Sequence, residues 1–115
     1  VDGLGLIKGT TSKFEYQKIY SESYPVPQIG WNKIHKRSNN WKDTILKKNL
    51  NDDFMYFVHS YYVIPNENVS LADTIYGEIN YCSALQKKNI IGVQFHPEKS
   101  GVVGLNIYKS FIEMI

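Results

Sequence analysis

His96 and Glu98 stand two residues apart in Gly92-Val93-Gln94-Phe95-His96-Pro97-Glu98-Lys99-Ser100, and these two side-chain types at this spacing suit general acid–base chemistry. In an extended backbone the side chains at i and i+2 leave on one side. The Glu98 carboxylate can then hold one imidazole nitrogen while the other addresses a reacting group. That is the base and the orienter of a nucleophile–base–orienter triad. Pro97 fixes its own φ, removes a backbone donor and biases His96 towards an extended conformation, which places the pair where a buried strand breaks open at its C-terminal end. Ligand sites of open α/β sheets lie at such ends.

A triad also needs a nucleophile on a sharp strand-to-helix turn flanked by small residues, which exposes the sulfur and offers backbone N–H groups as an oxyanion hole. Cys82 is the single cysteine, and it lies in Ile79-Asn80-Tyr81-Cys82-Ser83-Ala84, a strand-like stretch with no glycine beside it. It is expected to be a packed, inert thiol. One cysteine excludes an internal disulfide, and the three histidines are too far apart in sequence to form a recognised zinc spacing with it, so neither metal nor cofactor is expected. Gly3, Gly5 and Gly9 lack the Gly-Lys-Ser/Thr of a phosphate loop and follow no strong strand.

The elements that must position the pair are mostly strands. Residues 14–20 alternate weakly, residues 28–34 form a short strand around Trp31, and residues 54–64 are a long run rich in Tyr, Phe and Val. Along that run the alternation sends Phe57 and His59 to one face and Tyr56, Val58 and Ser60 to the other, with Phe57 and Val58 read as core. Residues 72–81 and 82–86 read as successive strands, with Lys87-Lys88-Asn89 as the turn into an apolar strand at 90–95. Asn40 followed by Asp43 resembles a helix N-terminus ahead of Trp41, Ile45 and Leu46. Leu105, Tyr108, Ile112 and Ile115 recur at three- and four-residue steps, which predicts an amphipathic terminal helix packed on the sheet by that stripe.

With 115 residues, 43% of them apolar, the chain can bury one core but not two domains. A net charge of +2 with scattered basic residues gives no case for a nucleic-acid surface. The apolar runs are far too short for a membrane span and no signal pattern opens the chain. A soluble protein of the reducing cytoplasm is expected.

The string at residues 92–100 resembles the C-terminal triad motif of class I, triad-type glutamine amidotransferases, in which a cysteine nucleophile hydrolyses glutamine to glutamate and ammonia. Lys99-Ser100 after the glutamate is similar to the glutaminase subunits of imidazole glycerol phosphate synthases, which act in histidine biosynthesis. Val26-Pro27-Gln28-Ile29-Gly30-Trp31-Asn32 and Tyr56-Phe57-Val58-His59-Ser60-Tyr61-Tyr62 agree in order and spacing. With Gly3-Leu4-Gly5-Leu6-Ile7 and Gly104-Leu105, the resemblance runs the length of the chain.

The resemblance implies a flavodoxin-like α/β domain of which residues 1–115 are the C-terminal part, strand-rich and closed by an amphipathic helix. In the family the nucleophile elbow and the Gly-rich oxyanion segment precede the point where this chain starts, so these residues alone are expected to be inactive. It implies His96 as base and Glu98 as its orienter. Ser60 and Tyr61 would lie against the bound glutamine and hold it largely through backbone groups. His59, nearby, is read as structural. Trp31, Asn32, Tyr56 and Lys99 would face a (β/α)8-barrel cyclase that receives the ammonia. Trp31 and Tyr56 could instead be core aromatics, and Lys99 is either solvated or paired with a partner carboxylate. An amidotransferase for another acceptor, such as a sugar precursor, and a non-catalytic interaction remnant of the fold remain as alternatives.

Overall fold

A computed structural model describes residues 2–19, 22–37 and 40–115. Its strands, in chain order, are β1 (Gly9–Lys13), β2 (Gln17–Ile19), β3 (Glu22–Tyr24), β4 (Gln28–Lys33), β5 (His35–Lys36), β6 (Phe54–His59), β7 (Tyr61–Pro65), β8 (Ser70–Tyr76), β9 (Ile79–Lys87) and β10 (Ile90–Val93). A 3-10 turn, Pro97–Lys99, leads into the helix α1 (Gly101–Met114). The result is a strand-rich α/β fold closed by a C-terminal helix.

Every strand pairing among the described residues is antiparallel. The main sheet runs β1-β7-β9-β8-β5, with β10 joined to β9. The nine residues of β9 let one edge serve two neighbours: Cys82 faces Val63 of β7, while Ala84 to Lys87 pair with β10. β4 and β6 form a separate ladder in which Trp31 stands opposite Tyr56 and Gln28 opposite His59. Period-two burial holds on β6, where Met55 and Phe57 are fully buried. These two join Phe14, Ile34, Trp41, Ile45, Leu46, Leu71, Tyr81 and Phe95 in one core. Val58 belongs to the other face of β6 and is exposed, not core.

Several expected boundaries move. Residues 54–64 form two strands rather than one, because the chain breaks its ladder at Ser60. The expected strand at 14–20 is represented by β2 alone, Tyr20 lying outside the described residues. The turn between β8 and β9 falls at Gly77-Glu78, not between Tyr81 and Cys82. No helix forms at 40–46. Asn40 spends its side-chain oxygen on the Lys42 N–H at 2.7 Å, and Asp43 adopts φ 63°, which interrupts a right-handed helix. A string of turns results, and it still buries Trp41, Ile45 and Leu46.

The terminal helix is present but turns a different face inwards. Gly104, Ile107 and Ser110 are buried, whereas Leu105, Tyr108, Ile112 and Ile115 are exposed. No helix of the described residues is long and apolar enough to cross a membrane.

Candidate active site

Phe95 is buried and anchors the end of the segment that follows β10. The next residue, His96, takes φ −102° and ψ 96°, the extended conformation favoured before proline. Its Nδ1–H donates to Glu98 Oε1 at 2.7 Å. The pair is closed by the 3-10 turn starting at Pro97, not by strand alternation as the i, i+2 spacing suggests. Hydrogen bonds from its own backbone N–H and then from His96 hold the Glu98 carboxyl below its ordinary range. A carboxylate kept charged on Nδ1 fixes the ring tautomer and leaves Nε2 as the nitrogen for proton exchange. The imidazole side chain is 39% exposed and open to a reactant.

The turn is fastened to β6. The His96 N–H donates to Tyr56 O at 2.9 Å. On the other side of Tyr56, the β4–β6 register brings Trp31 edge-on to its ring, with centroids 5.8 Å apart. Lys99 Nζ lies 5.9 Å from the same ring. Trp31 is 56% exposed, so this is a surface aromatic pair rather than part of the core. Lys99 is exposed above it. Asn32 is next in sequence, but its side chain is occupied within the chain: Nδ2–H donates to Ile75 O at 2.8 Å and Oδ1 accepts the Lys33 N–H.

Phe57 packs edge-on against Phe95 at 5.9 Å, giving the end of β6 and the His96 turn a common wall. There His59 donates from Nδ1 to Tyr61 O at 2.8 Å, while its Nε2 lies 3.1 Å from both Gln28 Oε1 and the Tyr81 hydroxyl. Tyr81 is buried and its hydroxyl also reaches Gln28 Oε1 at 2.8 Å. Burial pushes the Tyr81 hydroxyl far up and lowers His59, with the nearby His96 adding a smaller disfavour for charge. The Ser60 carbonyl accepts the Phe14 N–H and the Tyr61 carbonyl accepts the His59 ring proton. The peptide planes at Ser60 and Tyr61 are therefore held from both sides of the chain, while the Tyr61 side chain is exposed.

Cys82 sits mid-strand opposite Val63 and Asp73, and its Sγ–H donates to Ala84 O at 3.3 Å. Burial raises the thiol above its ordinary pKa, the reverse of what a nucleophile needs. No group of three or more His, Cys, Asp or Glu among the described residues could hold a metal ion. Sequence reasoning passed over Gln28, Tyr81 and Ser100, whose partners are distant in sequence.

The sequence model of the family Glutamine amidotransferase class-I matches residues 11–114. The imidazole glycerol phosphate synthase subunit HisH of Chlorobium luteolum is 43% identical over 113 residues, covering 96% of this chain and 52% of that protein. The subunit of the same name from Methanocaldococcus jannaschii is 38% identical over 116 residues, covering 100% and 54%. That of Geobacillus thermodenitrificans is 36% identical over 115 residues, covering 99% and 52%. The chain thus spans about half the length of these relatives.

Proposed function

The chain belongs to the class-I glutamine amidotransferase family, and from that premise we propose that it carries the base and orienting acid, His96 and Glu98, of a glutaminase. Its strand-rich architecture with one C-terminal helix among the described residues is consistent with the flavodoxin-like domain of that family. In this reading residues 1–115 are the C-terminal part of the domain, and the thiolate comes from outside them.

His96 Nε2 takes the thiol proton, the thiolate attacks the side-chain carboxamide of glutamine, and the imidazolium returns its proton to the departing ammonia. Water, deprotonated by the same nitrogen, then hydrolyses the glutamyl thioester. Glu98 stabilises the imidazolium in both steps. Ser60 and Tyr61 hold the amino-acid end of glutamine through the backbone planes that His59 and Phe14 brace.

The ammonia passes to the cyclase subunit of imidazole glycerol phosphate synthase, a (β/α)8 barrel, in histidine biosynthesis. The contiguous patch of exposed Trp31 and Lys99 over the half-buried Tyr56 ring, beside the His96 turn, is the face presented to it, with Asn32 bracing the patch from behind. The observation that carries the proposal is the 2.7 Å His96–Glu98 pair on a proline-fixed turn.

Glutamate release by the full-length protein bound to its synthase is the test. His96→Ala should lower the rate by roughly 10²–10⁴-fold, the usual weight of a positioned acid–base group, while synthesis from free ammonia continues. Near-normal glutamine turnover in His96→Ala would exclude the triad role. Turnover by the 115-residue polypeptide alone that vanishes in Cys82→Ser would make Cys82 the nucleophile.

A further inference from the structure

Ser100 occupies the N-cap position of α1, where a serine hydroxyl ordinarily accepts a helix N–H. Here it makes no such bond. The hydroxyl instead donates to His96 O at 2.7 Å and accepts the Tyr56 N–H at 2.9 Å. Since the His96 N–H also donates to Tyr56 O at 2.9 Å, both backbone groups of Tyr56 are bonded to the turn that carries the base. Tyr56 therefore directs its N–H and C=O away from β4, and its pairing with Trp31 is of the close, non-hydrogen-bonded kind that brings side chains together.

We infer that Ser100 is a positioning residue for His96: its hydroxyl locks the backbone of the base to the strand that carries Tyr56. The inference rests on the glutaminase reading above. The His96 N–H is tied to Tyr56 O, its C=O accepts both the Ser100 hydroxyl and the Lys99 N–H at 3.0 Å, and Glu98 fixes the ring through Nδ1. Of these bonds the Ser100 hydroxyl is the one that joins the His96 carbonyl to β6. Ser100 is 1% exposed, so no solvent molecule readily replaces the lost oxygen. Gly101, at φ 65°, turns the chain directly from the clamp into α1.

The test is Ser100→Ala in the full-length protein with its synthase. The turnover number for glutamine should fall by about tenfold or more, as displacement of a catalytic group does, with KM within about twofold. Ammonia-driven synthesis should be unchanged, and the low-field Nδ1–H proton resonance of His96 should broaden or disappear. Ser110→Ala is the control: that hydroxyl is equally buried on the same helix but has no hydrogen-bond partner among the described residues, and its loss should leave turnover intact. Unchanged turnover in Ser100→Ala, in a preparation where His96→Ala is inactive, overturns the inference alone; an active His96→Ala would instead refute the glutaminase reading. Should Ser100→Ala fold poorly, amide exchange in the wild-type protein decides. Slow exchange at Tyr56 supports the clamp, and exchange as fast as at an exposed amide rejects it.

Discussion

His59 is a half-buried imidazole whose desolvation outweighs the hydrogen bond to Tyr61, so the folded chain favours the neutral ring. The groups facing it are the Tyr81 hydroxyl, the Gln28 amide and the His96 ring, none of which supplies a compensating negative charge. The unfolded chain therefore binds more protons than the folded one from about pH 6.5 downwards to the depressed folded value, and stability rises with pH across that window. The Glu98 carboxyl is depressed, so its contribution is present above the ordinary carboxylate value and is lost only at lower pH. Urea unfolding at pH 7 and pH 5 should show the wild-type protein less stable at pH 5, with the difference reduced in His59→Gln. An undiminished difference in His59→Gln would place the acid sensitivity elsewhere. At this scale the His96–Glu98 contact was legible because the two residues are neighbours in sequence, although the 3-10 turn at Pro97 closes it where strand alternation was expected. The Gln28–Tyr81 and Tyr56–Ser100 bonds join residues 53 and 44 positions apart and leave no mark in any local pattern.

At the scale of elements, α1 can lie flush against the site turn only because residue 104 has no side chain. A β-carbon built at Gly104 would run into Pro97 O and lie 2.7 Å from Ser100 Cβ, both parts of the turn that holds His96 and Glu98. Backbone cannot yield as a flexible side-chain tip does, so Gly104→Ala should cost about 1–3 kcal/mol of stability. On the function proposed above it should also lower glutamine turnover more than ammonia-driven synthesis. A Gly104→Ala protein with wild-type melting temperature and turnover would show that the helix approaches less closely. Strand β6 was readable from alternation because one of its faces, with Met55 and Phe57, is buried, whereas β4 was read around Trp31 although its apolar residues Ile29 and Trp31 are exposed and Gln28 is the residue it buries. The β8–β9 turn was missed although Gly77, at φ 65°, marks it, since the apolar pattern continues through the hairpin. The turns at 41–48 defeat local propensity because the Asn40 side chain and the left-handed Asp43 redirect the backbone, while burial of Trp41, Ile45 and Leu46 is unaffected.

On the scale of the whole molecule, α1 has three faces rather than two. Val103, Ile107 and Ser110 pack inwards, while Asn106 and Glu113 meet Lys47 and Lys48 of the neighbouring turns or their backbone. Leu105, Tyr108, Ile112 and Ile115 form an apolar stripe on the remaining side. The periodicity that predicted a core-facing stripe was real, but among the described residues that stripe has no cover, and a second apolar face is what a helix between two layers carries. Such an area is too apolar to remain in water without consequence. The 115-residue polypeptide purified alone should therefore self-associate through this stripe, with weight-average mass in sedimentation rising with concentration. Leu105→Lys combined with Ile112→Glu should reverse the rise without lowering the melting temperature, because neither side chain belongs to the core. Trp31→Ala should leave self-association unchanged and, on the function proposed above, weaken binding of the full-length protein to a synthase subunit by on the order of 2 kcal/mol, as loss of an aromatic anchor does. A concentration-independent monomer would show that the stripe is tolerated in water, and self-association abolished by Trp31→Ala would assign the contact to the face beside His96.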